Sequence, residues 1–375
     1  MATVGTPQKS RRGAASKNPE ELVQQALENI PQHVAEYCTP FFSTELKPFL
    51  SWLNETDQRL TVRPEEASTP TLRREVDMRW TDIIRSGEAA VAPIHKTVDK
   101  KAVKEGFRSM IKPWIGGNPF IERAIEKPRG YPGDYLMMER FYIGQHELSG
   151  GLAGVLDRFL LDHYACVPNR KNRSKETIRR HVARLAGTGA PIRIMSLGSG
   201  PCREWFELEQ ELDGQERKFF ASVQLTCVDQ DADVLDFCRQ RFERSPLVHK
   251  VEYVKSGLLG FTKAEEWINR AGTFDLVYGF GIADYFHDEM LSSVITSGFA
   301  LLKEGGEVSI PHKSDAGFNY ELADWICDWT FVKRTEQQYV DLFRDAVSSL
   351  RIPFEFSMDR DPTRAIMFGT ATRQW

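Results

Sequence analysis

The stretch from Ile192 to Trp205, I-R-I-M-S-L-G-S-G-P-C-R-E-W, constrains the fold of this chain more than any other. Ile192, Ile194 and Leu197 mark a short apolar strand that runs straight into Gly198-Ser199-Gly200-Pro201. The run from Glu204 to Leu212 then reads as a helix. Strand, glycine turn and helix are how an α/β sheet presents a nucleotide-like ligand. The glycines let the backbone come close, and the first amides of the new helix face the ligand.

The rest of the chain can be laid out around that turn. Strands are expected at about 223–228, ending at Asp229, and at Val251–Val254, Phe274–Tyr278 and Glu307–Ile310, with closing strands at about 354–358 and 365–371. Helical patterns fall between them at Asp231–Phe242, Met290–Leu302, Tyr320–Trp329 and Thr335–Leu350. This alternation predicts an α/β fold with a doubly wound, mostly parallel, Rossmann-like sheet of seven strands. Upstream of residue 190 strand signals are scarce. Leu22, Val23, Leu27 and Ile30 have helical spacing, and Phe41, Leu46, Phe49, Leu50 and Leu53 suggest a second helix. The polar stretch Asn54–Pro70 reads as a loop. Leu72–Ala92 and Thr97–Trp114 read as two helices broken at Pro93. Residues 152–186 read as helical, interrupted at Val167–Arg173. Three parts are therefore expected: a basic, acid-free disordered tail at 1–19, an α-helical N-terminal cap or substrate region at 20–189, and the sheet domain at 190–375.

Composition excludes several classes. The formal net charge of -4 argues against a general nucleic-acid or membrane-surface binder. No apolar run reaches the ~18 residues of a membrane span, so stable membrane insertion is not expected. The six cysteines (Cys38, Cys166, Cys202, Cys227, Cys238 and Cys327) show no C-x-x-C spacing. Reduced thiols in a cytoplasm are the simplest reading, and no metal site is expected.

In a doubly wound sheet the ligand sits beyond the carboxyl ends of the strands. That rule gathers Gly198–Gly200, Asp229, Ser256–Leu259 and Gly279–Asp284 around one cleft. A carboxylate at the end of the second strand suits a ribose diol, because it accepts from both hydroxyls. Asp229 and Asp231 are both candidates, and Asp231 has a competing role as a helix N-cap. Position 203 is Arg where a dinucleotide fingerprint needs its third glycine, and no phosphate-binding lysine follows. Lys127-Pro-Arg-Gly-Tyr-Pro-Gly-Asp-Tyr135 reads either as a helix-helix turn capped by Asp134 or as a ligand loop presenting Arg129, Tyr131 and Tyr135. Val167–Arg173 reads either as a solvated turn or as a segment from which Asn169, Arg170 or Arg173 reaches into the ligand cleft, where an anionic group would attract an arginine fork. Asp284, His287 and His312, near the ends of the fourth and fifth strands, are candidates for proton transfer.

On these motifs, residues of about 190–371 resemble class I S-adenosylmethionine-dependent methyltransferases. Ser196-Leu-Gly198-Ser-Gly200-Pro-Cys202 looks like their glycine motif, and Asp229 matches their ribose-binding acid. Phe274–Phe286 looks like their fourth motif, and Leu301–Val308 resembles the turn into their fifth strand. Two positions depart: Ser196 stands where an acid is usual and Cys202 where a third glycine is usual. Glu204, Arg129 or Arg170 are candidates to take over the contact to the methionine moiety. The resemblance implies S-adenosyl-L-methionine as cofactor, with Gly198, Ser199, Gly200, Asp229, Gly257, Leu258, Gly279, Arg129, Tyr131 and Arg170 around it. Tyr135, Asp284 and His287 are the catalytic candidates. A narrower resemblance over about 120–371 carries Arg129–Asp134, Met137-Met138, Asn169–Arg173 and the glycine motif. It is to bacterial methyltransferases of hydroxy-fatty-acid methyl ester (extracellular factor) biosynthesis. That resemblance implies O-methylation of a small acidic or lipid-like acceptor such as a 3-hydroxy fatty acid. A carboxylate acceptor needs no strong base, only an orienting cation, for which Arg129, Tyr131 and Tyr135 are on offer. Methylation of a small-molecule amine or hydroxyl, and a non-catalytic nucleoside-binding module, are the alternatives. The expected partner is a small molecule and not a nucleic acid, and a homodimer is compatible with the sequence.

Overall fold

The signals that start helices are local, and most of them are used. The computed structural model describes residues 18–144, 148, 150–245 and 250–375. The expected tail at 1–19 therefore lies, up to residue 17, outside the described residues. Asn18 caps α1 (Pro19–Asn29) through the amide of Glu20. Then follow α2 (Gln32–Pro40), α3 (Lys47–Val62), α4 (Pro70–Val91, capped by Thr69), α5 (Thr97–Ile115) and α6 (Pro119–Glu126). Helix α7 (Tyr135–Ile143) starts at Asp134, whose side chain accepts from the amides of Leu136 and Met137. Helices α8 (Gly151–His163) and α9 (Cys166–Leu185) complete the part before the sheet.

Two sequence expectations change here. The polar stretch after Asn54 stays helical to Val62, because Leu53, Thr56 and Leu60 keep a buried stripe; a 3-10 turn at Pro64–Ser68 then ends it. Val167–Arg173 is neither a break nor a surface turn. It forms the first turns of α9, with Arg170, Lys171 and Ser174 buried.

The sheet begins where expected. Its strands are β1 (Ile192–Leu197), β2 (Val223–Asp229), β3 (Lys250–Lys255), β4 (Phe274–Tyr278), β5 (Leu302–Ser309), β6 (His312–Lys313), β7 (Phe354–Arg360) and β8 (Ile366–Arg373). The connecting helices are α10 (Arg203–Glu211), α11 (Gly214–Phe220), α12 (Ala232–Phe242), α13 (Leu258–Phe261), α14 (Ala264–Ala271), α15 (Asp288–Ala300), α16 (Tyr320–Cys327) and α17 (Glu336–Ser348). The strand order is β3-β2-β1-β4-β5-β8-β6, with β7 paired to β8. Strands β1 to β5 run parallel, and β8 pairs antiparallel with its neighbours. The sheet thus has eight strands rather than seven, because His312-Lys313 adds a two-residue strand against β8. Every residue of β4 is buried, as the interior strand of a parallel sheet requires.

The described chain divides into two compact units. One comprises residues up to 126, 148–160 and 321–329, and is helical. The other comprises 127–144, 161–320 and 330–375, and contains the whole sheet. Residues 127–144 and 161–189, read from sequence as part of the helical region, group with the sheet. The sheet unit has two cores, one per face. Phe299, Val294, Tyr339 and Phe343 help build one, and Trp205, Phe220, Ile178 and Leu235 the other. Among the described residues no helix is long and apolar enough to cross a membrane, and no group of His, Cys, Asp or Glu is placed to hold a metal ion.

The helical unit closes around Trp325, which is fully buried. Its ring meets Phe107 edge-on at 5.2 Å and Phe41 at 5.8 Å, and a Cβ on Gly87 would come within 2.6 Å of it. Its Nε1 donates to Glu88 at 2.6 Å. Trp325→Ala is expected to cost about 3–5 kcal/mol, read as a lowered urea midpoint; an unchanged midpoint would remove Trp325 from the core.

Candidate functional site

Strands β1, β2 and β3 step one way across the sheet from β1, and β4 and β5 step the other way. The strand order reverses between β1 and β4, so the crevice opens at their carboxyl ends. The turn after β1 is built from positive-φ residues: Gly198 at 57°, Gly200 at 51° and Cys202 at 49°. At Gly198 a Cβ would also lie 2.5 Å from Ile282 of the loop after β4. Cys202 takes the left-handed conformation that a glycine adopts freely, so the turn keeps its shape without the third glycine. Buried thiols hold the turn from below. Cys238 donates to the carbonyl of Gly200 at 3.1 Å, and Cys202 lies 3.6 Å from Cys227 and 3.7 Å from the Ser199 carbonyl. Ser199 is 7% exposed, and its hydroxyl is buried with no hydrogen-bond partner.

Asp229 ends β2 beside this turn and is 8% exposed. The Gly200 amide donates to its Oδ2 at 3.1 Å, and the Asp231 amide to its Oδ1 at 3.0 Å. Burial raises its carboxyl above the usual range, against the pull of these amides. The Gln230 amide faces the carboxylate as well, and the group keeps acceptor capacity for a further donor. Asp231 serves as the N-cap of α12, through the amide of Asp233.

The 127–135 loop stands against the same end of the sheet. Arg129 is engaged by Asp231 at 2.5 Å and Asp233 at 2.9 Å, and its guanidinium stacks 4.9 Å from the centre of the Tyr135 ring. Tyr135 packs on Phe237 of α12 at 5.0 Å. Burial, then the carboxylates of Asp229 and Asp231, raise the Tyr131 hydroxyl above its ordinary range, which sets Tyr131 in the electrostatic field of Asp229. Asp134 is the cap of α7, so the loop is at once a capped turn and a wall beside Asp229. Gly257 and Leu258 stand at the start of α13, after β3.

Ser196, where an acid was the usual residue, is buried and offers no charge. Glu204, in the first turn of α10, is a buried acid on this side of the sheet. The Tyr278 hydroxyl donates to it at 2.7 Å, and Trp205 Nε1 donates to that hydroxyl at 2.8 Å. Burial pushes the Glu204 carboxyl up to about 7.

The loop after β4 carries a buried charge cluster. Asp284 is fully buried, and its oxygens meet Arg170 Nη1 at 3.0 Å, Lys313 Nζ at 2.6 Å, the Lys313 amide at 2.8 Å and His312 Nδ1 at 3.1 Å. Burial alone would raise Asp284; Lys313, His312 and Arg170 together hold it well below the usual carboxylate range. His312 and Lys313 are both lowered, because burial outweighs their contact with Asp284.

The structure thus brings Gly198, Ser199, Gly200, Asp229, Tyr131 and Gly279 to neighbouring strand ends. Arg170 stands at the β4 loop, where a Cβ on Gly281 would lie 3.0 Å from its Nη2. His287 is exposed at the start of α15. Lys313 was missed from sequence. The available signal was its place in a polar pair, His312-Lys313, one proline beyond the Val308–Ile310 end of the fifth strand.

No family profile matches this chain, and no curated protein matches its sequence. Among solved structures it is similar to a possible exported protein from Bordetella parapertussis, with a TM-score of 0.52 and 14% identity over 82% of this chain and 100% of that one. Weaker likenesses include the magnesium protoporphyrin IX methyltransferase of Synechocystis PCC 6803 with bound S-adenosylhomocysteine (TM-score 0.43, 12% identity, 68% of this chain and 99% of that one). Another is the 1,6-didemethyltoxoflavin-N1-methyltransferase of Burkholderia thailandensis (TM-score 0.35, 17% identity, 52% and 78%). At these identities the likeness is one of fold.

Gly198→Ala tests the turn. The added methyl meets Ile282 and the backbone sits at positive φ, so a loss of about 1–3 kcal/mol in unfolding free energy is expected by urea titration. A stability equal to the parent's would show that the turn tolerates a side chain.

Proposed function

We propose that this protein is an S-adenosylmethionine-dependent methyltransferase that O-methylates a small acidic or lipid-like acceptor, of which a 3-hydroxy fatty acid carboxylate is the type. The observation that carries the reading is the juxtaposition of Asp229 with the glycine turn. A buried carboxylate with free lone pairs, the backbone of Gly198–Gly200 and an unpartnered Ser199 hydroxyl meet at one strand end. These groups fit the cofactor. Asp229 suits the ribose diol, and the turn leaves room for close backbone approach. Glu204 suits the methionine ammonium, in place of the acid that Ser196 lacks. Tyr131, beside Asp229, extends the nucleoside side.

S-adenosylmethionine supplies a methyl on a sulfonium, and its transfer to a carboxylate oxygen forms an O–C bond, breaks the C–S bond and moves no proton. The chain's own task is therefore alignment, which can contribute about 7–11 kcal/mol. Two of the proton-transfer candidates are not needed for this chemistry and are otherwise placed: Asp284 is bonded to Arg170 and Lys313, and His287 is exposed. The Arg129 guanidinium is taken up by Asp231 and Asp233, so its role in this reading is to hold the 127–135 loop against α12.

Isothermal titration with S-adenosylmethionine tests the proposal. The parent protein is expected to bind, and Asp229→Ala to weaken binding about tenfold or more through loss of charge-assisted hydrogen bonds. Absence of binding by the parent would sink the methyltransferase reading and leave a different role for the fold. The Glu204 assignment makes a separate statement about pH. Its carboxyl, pushed up to about 7, is protonated below that pH and cannot pair with an ammonium. Affinity is expected to fall as pH drops through about 7 in the parent and to flatten in Glu204→Gln; parallel profiles would exclude Glu204 from the cofactor.

A further inference from the structure

Helix α9 and strands β5, β8 and β7 enclose a cavity of about 220 Å³ within the sheet unit. None of its lining residues belongs to the glycine turn, the end of β2 or the Asp284 cluster. Arg173, Thr177 and Arg180 reach it from α9, at the spacing of one helical face. The strand register lays out its floor. Ser309, Thr370 and Ser357 stand side by side across β5, β8 and β7, at the ~4.8 Å of neighbouring strands. One row along, Glu307, Thr372 and Glu355 do the same, and on the other flank Phe368 faces Asp359. Glu355 and Ser357 are exposed, so the cavity opens along β7.

A face that only packs a helix is apolar, as the opposite face of β7 is: Phe354, Phe356 and Met358 pack against the core there. A merely solvated face would leave its polar groups open, yet Thr177 is 7% exposed and Ser309 3%. Ion pairs close the two ends of the cavity. Arg180 donates to both oxygens of Glu307, at 2.9 and 3.0 Å, and Arg173 donates to Asp359 at 2.6 Å. On the floor Thr370 donates to Ser309 at 3.4 Å. Among the described residues, no partner meets the hydroxyls of Thr177, Ser357 and Thr372 or the carboxylate of Glu355. A hydroxyl as buried as that of Thr177 is costly unless a group in the cavity meets it.

The same lining selects the chemistry of an occupant. Each guanidinium is matched by a carboxylate, which leaves no cation over for an anionic ligand. Phe368 is the one ring among the described lining residues, so an apolar ligand finds little surface. The uncommitted groups are hydroxyls, which donate and accept, and Glu355, which can accept from both hydroxyls of a diol. The volume lies below the ~300–1,000 Å³ of drug-sized sites, which limits the occupant to about one sugar ring.

We propose that this cavity is a second ligand site and that it takes a neutral polyol of one-ring size, with Thr177, Ser357 and Thr372 around the polyol and Glu355 across a diol at the open side. The site is independent of the methyltransferase reading. The test is ligand-observed NMR and isothermal titration of the full chain with myo-inositol, D-glucose and cyclohexanol, the last offering a ring with a single hydroxyl. The parent is expected to bind at least one of the two polyols about tenfold or more tighter than cyclohexanol. Thr177→Val, which keeps the shape and removes the hydroxyl, should weaken that polyol about fivefold, and Glu355→Gln about tenfold. Affinity for S-adenosylmethionine should stay within about twofold in both variants. Where Thr177→Val does not fold, Ser357→Ala, at an exposed position, takes its place with the same expected loss. Binding of neither polyol, equal binding of cyclohexanol, an affinity unchanged in the variants, or displacement of the polyol by S-adenosylmethionine overturns the proposal.

Discussion

The carboxylate of Asp284 ties the working end of the sheet unit together. It has no exposed surface, and it bonds Arg170 of α9 and both the backbone and the side chain of Lys313 in β6. Its carbonyl accepts the amide of Val332. Three segments far apart in sequence therefore converge on one residue at the end of β4. Removing one partner of such a cluster leaves an uncompensated buried charge, which is far more costly than the cluster's net stabilisation. The loop after β4 cannot move without breaking it, and Ile282 in that loop is the side chain against which Gly198 closes. The glycine turn and the charge cluster are thus two sides of one rigid wall.

That wall separates two kinds of chemistry. Toward β2 the groups are acids and backbone amides: Asp229, Glu204 and the amides of the turn. Toward β6 they are cations and rings: Arg170, Lys313, Phe318 and Phe331. The thiols of Cys202, Cys227 and Cys238 serve the first side by packing beneath the turn, where larger side chains would not fit and charged ones would be unpaired. Free and buried, they act as small apolar residues with a weak donor.

Much of this was legible because the relevant physics is local. A residue at positive φ favours glycine, so Gly198 and Gly200 announced their turn, and only Cys202 concealed its own. Buried parallel strands read as apolar runs, so β1, β2 and β4 stood out, and an acid after such a run, Asp229, marked the cleft. Asp134, Asp231 and Thr335 could be placed as helix starts because a cap bonds amides only two or three residues away. What stayed hidden was charge whose partner is remote. The Val167–Arg173 stretch looked like a solvated turn because nothing nearby neutralises it. Its Arg170 finds Asp284 after an interval of 114 residues, and Asn169 finds Asp361 after 192.

The sequence by itself determined the α/β class, the alternation of the main strands and helices, the glycine turn and the carboxylate at the end of β2. Each of these follows from backbone sterics or from hydrophobic periodicity within a window of a dozen residues. Only the tertiary structure decided which charges pair and which are buried: Arg129, half-buried, with Asp231 and Asp233, and, fully buried, Arg170 and Lys313 with Asp284 and Glu204 with Tyr278. The reason is physical. A charge has the same sequence signature whether solvated or buried, and its cost and its meaning are set by the partners that folding brings within 3 to 4 Å.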